Sequence, residues 1–358
     1  MQLITPPTKR EDHGVLRTLL APFSPHLAAR DVYEVVVNRP GETLVESSGG
    51  WRTIATPELS FAHLMRLAKV VASTSRQAID EQHPILSATL PDDERIQIVI
   101  PPAVPHDTVS LTIRKPSQVT LSLDELDKGG LFGIASRDPG ERGQADDGLR
   151  ALYAKGDFAG FLDASVRARK NNIISGATGS GKTTLSKALI GKIPLDERII
   201  TIEDTPELVI PQPNHVRLFY SKGEQGTAKI GPRELLESCL RMRPDRILLQ
   251  ELRDGTAFYY LRNVNSGHPG SITTVHADSA RLAFEQLTLL VKESEGGRDL
   301  GRDDIRSLLT MLVDIVVQCK RVAGQFRVTE IHFEDRRGRR AGDGANQQHI
   351  LLADSHLT

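Results

Sequence analysis

The segment GATGSGKT, residues 176–183, has the residue types and spacing of a loop that binds phosphate. It fits the pattern G-x-x-x-x-G-K-[ST], in which glycines let successive backbone N–H groups point at an anion. We expect Lys182 to reach the β- and γ-phosphates of a nucleotide, and the Thr183 hydroxyl to ligate Mg²⁺. The strand-like NNIIS before the loop and the helical TTLSKALI after it argue against a chance glycine-rich turn. The expected nucleotide-binding residues are Gly176, Ala177, Thr178, Gly179, Ser180, Gly181, Lys182, Thr183 and Thr184.

Three further segments place polar side chains where apolar strands end. ITIEDTPEL carries Glu203 and Asp204, RPDRILLQEL carries Glu251, and SGHPGSITTVHA ends close to His276. Carboxylates beside a Mg²⁺-bound triphosphate orient water or accept its proton, although an isolated acid is as often a helix cap or a surface charge. His276 falls at the same sheet edge and suits sensing of the γ-phosphate, whereas an isolated histidine is usually structural.

The elements around these segments predict a doubly wound α/β domain. Strand and helix candidates alternate through the last two thirds of the chain. The strands are predicted at 172–175, 198–202, 216–220, 246–250 and 271–275. The helices are predicted at 182–191, 232–241, 256–265, 280–292 and 303–312.

The first third reads as a smaller α+β domain. Strands are predicted at 31–37, 43–45, 95–100 and 109–114, with an amphipathic helix at 60–73. Glycine-rich and charged sequence then predicts a connector. We place the N-terminal domain at 1–116, the linker at 117–148 and the nucleotide-binding domain at 149–358.

Composition narrows the class of protein further. The 358 residues include 45 basic and 46 acidic side chains, and only 4% are aromatic. This balance disfavours a protein that tracks nucleic acid, which usually has a basic stripe and stacking aromatics. Two distant cysteines, no apolar run of membrane-spanning length and no secretory h-region favour a reducing, cytoplasmic setting.

Together, the four segments resemble the secretion ATPase superfamily of type II and type IV secretion and pilus retraction. They match, in order, its Walker A motif, Asp box, Walker B motif and His box, between residues 176 and 277. The N-terminal pieces VVVNRPGE, ERIQIVIPP and SLTIRKPS look like the type IV secretion and conjugation branch. The resemblance covers nearly the whole chain.

The resemblance implies a C-terminal RecA-like P-loop ATPase domain, a smaller N-terminal domain and assembly as a hexameric ring. ATP and Mg²⁺ would be the cofactors. Glu251 would be the catalytic acid of Walker B, Glu203 the Asp-box carboxylate, and His276 the residue near the γ-phosphate. Gln250 stands where many phosphate-loop enzymes carry an acid. Glutamine has no negative charge, so the sequence does not assign the groups that would hold the water molecules around Mg²⁺.

Family members hold nucleotide between their two domains, so Arg114 in TIRKPS is a candidate phosphate contact. Arg241 and Arg253 are candidates for charge stabilisation across a subunit interface. The alternative interpretation is that each is an ordinary solvated surface charge. A flexible connector of the predicted length reaches roughly 30 Å. That reach would let the N-terminal domain cover either its own nucleotide-binding domain or the neighbour's. The family contains both arrangements and its longer-linker members resemble this chain more, so the resemblance implies a swapped arrangement, with Arg114 of one subunit facing nucleotide held by Lys182 of the next. Lys182 itself is expected to be a surface charge.

The implied partners are further copies of the chain, inner-membrane secretion components and a coupling protein, with peripheral contact at the inner membrane. No sequence-specific nucleic-acid binding is expected. Two alternatives stay open: a nucleic-acid translocase or helicase, and an ATP-switched assembly scaffold that does not hydrolyse. A small-molecule kinase is disfavoured because no second phosphate-acceptor site is evident.

Overall fold

The computed structural model describes residues 14–116, 122–133, 143–221 and 226–334. Its N-terminal part is a six-stranded antiparallel sheet with the order β3-β2-β1-β6-β5-β4. The strands are β1 (Val32–Val37), β2 (Gly41–Ser47), β3 (Gly50–Thr56), β4 (Ile85–Thr89), β5 (Arg95–Val99) and β6 (Ser110–Arg114). The helices of this part are α1 (Gly14–Leu20), α2 (Ser24–Ala28) and α3 (Phe61–Thr74).

Helix α3 packs on this sheet because its apolar residues recur at helical spacing. The Ser60 side chain caps its start by accepting a hydrogen bond from the His63 backbone N–H. Leu64, Leu67 and Val71 lie buried on one face, in a single core with three of the four valines of β1.

The connecting stretch contains helix α4 (Leu123–Lys128), none of whose residues is buried, and then α5 (Gly143–Lys155) and α6 (Phe158–Arg167). Residues 117–121 and 134–142 of the predicted linker lie outside the described residues. Helix α5 runs across the predicted 148/149 boundary. The domain limits stay a prediction.

The C-terminal part confirms a mixed α/β fold. Its strands are β7 (Asn172–Ser175), β8 (Ile199–Glu203), β9 (His215–Phe219), β10 (Arg246–Leu249), β11 (Ile272–Val275), β12 (Ile315–Val322) and β13 (Gln325–Phe333). Its helices are α7 (Lys182–Ile190), α8 (Pro232–Cys239), α9 (Thr256–Asn265), α10 (Ala280–Glu293) and α11 (Arg302–Leu312).

Strands β7 to β12 of this part run parallel in two sets, β10-β8-β9 and β11-β7-β12, and β13 adds antiparallel to β12. A single parallel bridge between Glu251 and Thr274 joins the sets. The order across both is therefore β9-β8-β10-β11-β7-β12-β13. In each of the four motifs the candidate site residue, Lys182, Glu203, Glu251 or His276, stands at or after the end of a strand of this sheet, so these side chains lie along its carboxyl edge.

The two parts of the chain share a core. Val99, Ala103 and Val104 from the N-terminal part pack in the same apolar cluster as the strands of the parallel sheet. Beside them, the fully buried Arg198 donates to the side-chain oxygens of Asn38 and Asn214. Burial lowers the pKa of this guanidinium to about 10.

None of the helices in the described residues is both long and apolar enough to cross a bilayer.

Candidate functional site

The segment 176–181 forms a tight loop between β7 and the start of α7, as the sequence predicts. At two positions of this loop the backbone geometry requires glycine. A Cβ at Gly176 would collide with the Cys319 carbonyl oxygen. Gly181 has φ +93°, and a Cβ there would lie 3.0 Å from Phe326 Cγ. Only glycine fits both positions, and the N-terminus of α7 points its free N–H groups into the loop.

Lys182 is buried, so the prediction that it is a surface charge is wrong. Its Nζ donates to the Gly176 carbonyl at 2.7 Å and to the Ala177 carbonyl at 2.9 Å. Burial lowers the pKa of this amine, and the nearby Glu251 carboxylate opposes the shift. The ammonium is therefore held at the mouth of the loop by carbonyl dipoles that an anion would replace.

Glu251, His276 and Lys182 come together at the carboxyl edge of the sheet. His276 Nε2 lies 2.7 Å from Glu251 Oε1, and its Nδ1 lies 3.5 Å from Lys182 Nζ. The first contact is close but lacks hydrogen-bond geometry, so that Oε1 is buried and accepts no hydrogen bond from the described residues. The second carboxylate oxygen of Glu251 is held by Arg253. Glu251 Oε1 thus faces His276 beside the phosphate loop, without a hydrogen bond from the described residues.

Glu203 lies at the end of β8 but is fully buried and fully partnered. Arg217 donates a hydrogen bond to each carboxylate oxygen, at 2.9 and 2.7 Å, and the Thr201 hydroxyl donates at 2.7 Å. The backbone N–H groups of Glu207 and Leu208 also donate to it. This geometry makes Glu203 an anchor for the loop after β8, with no carboxylate oxygen left for water or metal.

Gln250 anchors the same loop from the neighbouring strand. Its carbonyl oxygen accepts the Asp204 N–H at 3.2 Å, and its amide donates to the Glu207 carboxylate at 3.0 Å. Asp204 in turn lies 3.1 Å from Arg253, which also binds Glu251. Arg253 therefore ties the Asp box to Walker B within one chain, and its predicted role across a subunit interface stays a prediction.

Arg114 does not lie beside the phosphate loop of its own chain. It faces a cavity of about 550 Å³ together with Arg241, Arg243 and His268. Arg243 precedes β10 and His268 precedes β11, whereas Glu251 and His276 follow those same strands. In a parallel sheet these positions are opposite edges, separated by a four-residue strand, about 13 Å.

The cavity also contains charged residues that sequence reasoning missed. Arg95 is the direct cross-strand partner of Arg114, an arrangement of like charges that costs stability. Buried Glu34 sits on the other side of Arg114, 3.6 Å from its Nε, and burial raises the pKa of Glu34 to about 7. Arg243 forms an ion pair with Glu46, with 2.6 Å between its Nη2 and the Glu46 Oε1. The convergence of four arginines on one cavity is typical of an anion-binding surface. These arginines are Arg95, Arg114, Arg241 and Arg243.

A glycine loop between a parallel strand and a helix, followed by a lysine and backed by a carboxylate from the next strands, defines the class of phosphate-loop α/β proteins. Residues 150–349 match the family model described as type II/IV secretion system protein. The chain belongs to the family of type II/IV secretion system proteins.

Relatives within this family lie in the type IV branch. The chain is 60% identical over 335 residues to the type IV secretion system protein VirB11 of Bartonella henselae, covering 90% of this chain and 94% of that protein. It is 42% identical over 347 residues to protein VirB11 of Agrobacterium fabrum, covering 93% and 98%. The crystal structure of the VirB11 ATPase from the Brucella suis type IV secretion system in complex with sulphate superposes with a TM-score of 0.84 at 42% identity, covering 89% of this chain and 97% of that one.

Proposed function

We propose that this chain is an ATPase that powers a type IV secretion system, in conjugative DNA transfer and pilus biogenesis. The supporting observation is that the Glu251 carboxylate, His276 and Lys182 meet at one sheet edge beside the phosphate loop. The related Brucella protein, an ATPase by name, is described in complex with sulphate, a tetrahedral anion like phosphate.

In the proposed reaction, Glu251 Oε1 orients a water molecule and takes its proton as the water oxygen attacks the γ-phosphorus. The bond between that phosphorus and the β,γ-bridging oxygen breaks, and ADP leaves with the electron pair. The Lys182 ammonium neutralises charge on the β- and γ-phosphates. His276 contacts both Lys182 and Glu251, which supports a role in sensing the γ-phosphate.

Mg²⁺ fits this site as a partner of the nucleotide. No group of three or more His, Cys, Asp or Glu side chains within the described residues could hold a metal without help. Thr183, exposed in the first turn of α7, would contribute its hydroxyl, and the phosphates would supply the other oxygens. The bound ion would neutralise charge that develops on the phosphates.

The arginine cavity favours assembly into a ring, which we propose to be hexameric. Arg114 lines a cavity at the sheet edge opposite Lys182 of its own chain, so a nucleotide phosphate in contact with it would belong to another subunit. Arg95 and Arg243 would join it there. Proposed partners are inner-membrane components and a coupling protein, with peripheral attachment to that membrane.

Phosphate release by the purified chain tests the proposal. Wild type should hydrolyse ATP and Lys182→Ala should not, because the ammonium that neutralises the phosphates is lost. Lys187→Ala is the matched control, since Lys187 is an exposed lysine of the same helix and should retain wild-type activity. Full activity of Lys182→Ala would contradict the assignment.

The two alternatives give different results in the same assay. Hydrolysis that DNA stimulates with a steep salt dependence would favour a translocase. Tight ATP binding without turnover would favour an assembly scaffold.

A further inference from the structure

The hairpin formed by β12 and β13 extends beyond the sheet, alongside the phosphate loop. Strand β12 pairs with β7 only from Ile315 to Gln318, which lies opposite the last residue of β7. From Cys319 onward, the hairpin is paired only with itself. It therefore flanks the loop on the side away from β10 and β11.

Phe326 of this hairpin lies directly on the phosphate loop. A Cβ at Gly181 would meet three atoms of Phe326, its Cγ, Cβ and Cδ1, at 3.0 to 3.3 Å. Nevertheless 54% of the Phe326 surface is exposed to solvent. One edge of the aromatic ring thus covers the loop backbone, while much of the rest is an uncovered apolar surface beside it.

The direction of a bound triphosphate follows from the positions of the reacting groups. Glu251 and His276 come from β10 and β11, on one side of the loop, and the γ-phosphate has to face them. The α-phosphate and the nucleoside then leave the loop on the opposite side. Because β12 is the other neighbour of β7, that side is where the hairpin stands.

We propose that Phe326 is the platform on which the nucleotide base stacks, an inference that rests on the proposed nucleotide binding. An aromatic ring binds the face of any base and contributes sequence-tolerant affinity. Phenylalanine carries no hydrogen-bonding group, so it reads no base edge. Arg321, its cross-strand partner, shares that face of the hairpin and adds a guanidinium near the base. The site should therefore accept both purines.

Binding of ATP, GTP and inorganic tripolyphosphate, each with Mg²⁺, to Phe326→Leu tests this proposal by calorimetry. Leucine keeps an apolar cover over Gly181 but removes the aromatic face. ATP and GTP should each bind about tenfold more weakly, whereas tripolyphosphate should bind as to wild type. Phe326→Trp should keep purine affinity.

Val322→Ala is the matched control, because Val322 is an exposed apolar residue on the opposite face of the same hairpin. It should change none of the three affinities. Equal losses for ATP and tripolyphosphate in Phe326→Leu would show that Phe326 only supports the loop, and unchanged ATP affinity would equally overturn the base platform. Failure of wild type to bind any of the three ligands would instead overturn the proposed nucleotide binding itself.

Discussion

His276 Nε2 lies 2.7 Å from Glu251 Oε1, a carboxylate oxygen that is buried and accepts no hydrogen bond from the described residues. The same imidazole approaches Lys182 through its other nitrogen. One histidine thereby touches both the group proposed to bind phosphate and the group proposed to activate water. This arrangement leads to separate expectations for binding and for turnover.

Glu251→Gln should bind ATP as wild type does and turn it over roughly 10²–10⁴-fold more slowly. The amide keeps the shape of the side chain and its contact with Arg253 but cannot accept the proton of water. Single-turnover hydrolysis and nucleotide affinity, measured on the same preparation, check this. Wild-type turnover would remove Glu251 from the proposed mechanism.

Glu203→Gln is the companion variant, with a different expected defect. Loss of the charge on Glu203 weakens the bidentate Arg217 pair in a buried setting, so the free energy of unfolding should fall by about 3 kcal/mol or more. Urea unfolding measures that loss. A stable Glu203→Gln protein with strongly impaired chemistry would restore Glu203 as a candidate base.

His276→Ala should separate turnover from binding. The variant loses the hydrogen bond between His276 and the Lys182 ammonium and the contact with the Glu251 carboxylate. A hydrogen bond to a charged group is worth about 1.5–3 kcal/mol, so kcat should fall roughly 10- to 100-fold. ATP affinity should change little, because the phosphates are held by Lys182 and the loop backbone. Steady-state kinetics give both values. A rise in KM with unchanged kcat would assign His276 to binding alone.

Glu34 should make stability depend on pH. Its folded pKa is about 7, above the value of 4.5 for a free carboxyl, so the folded protein binds the proton more tightly than the unfolded chain does. Stability contributed by the protonated form is complete below about pH 4.5 and is lost as the pH rises through 7, by about 3 kcal/mol.

Urea unfolding of wild type and Glu34→Gln at pH 5 and pH 8 measures this term. Glutamine does not titrate, so the variant should be similar to wild type at pH 5 and more stable at pH 8. The same pH dependence in both proteins would mean that the positive charges of Arg114, Arg243 and Arg198 offset the effect of burial on the pKa of Glu34.

Mixing inactive Lys182→Ala and Arg114→Ala proteins tests which subunit supplies Arg114. If Arg114 acts on nucleotide held by another chain, some mixed interfaces pair an intact Lys182 with an intact Arg114 and recover part of the ATPase activity. If both groups act from one chain, every site lacks one of them. Native mass spectrometry confirms that subunits exchange, and no recovery at any mixing ratio would defeat the swapped arrangement.

Sequence patterns predicted the elements that carry the motifs because buried parallel strands are continuous apolar runs, and glycines and acidic residues mark where these runs end. The strand predicted at 172–175 and the helix predicted at 256–265 agree with β7 and α9. Strand β3 was missed because GWRTIAT is largely exposed and lacks apolar alternation. The β12–β13 hairpin is absent from the predicted strands, since most of β13 faces solvent.

The arginine cavity shows why part of the site could not be predicted. Arg95 and Arg243 are separated by nearly 150 positions in the sequence, and no local spacing reports that they meet. The burial of Lys182 was likewise missed, because it depends on how the loop folds over its own carbonyls. Sequence motifs show where functional residues lie along a chain, whereas the meeting of side chains distant in sequence depends on tertiary packing.

The buried junction at Arg198 bears on how this chain could be dissected. A fragment that begins at α5 would lack Asn38, which accepts one of the Arg198 hydrogen bonds. The Arg198 guanidinium would then lack this acceptor. The fragment would also uncover the apolar side of the parallel sheet that Val99, Ala103 and Val104 cover. We therefore expect the nucleotide-binding half to be less stable alone than in the full chain, where the N-terminal half covers this side of its core.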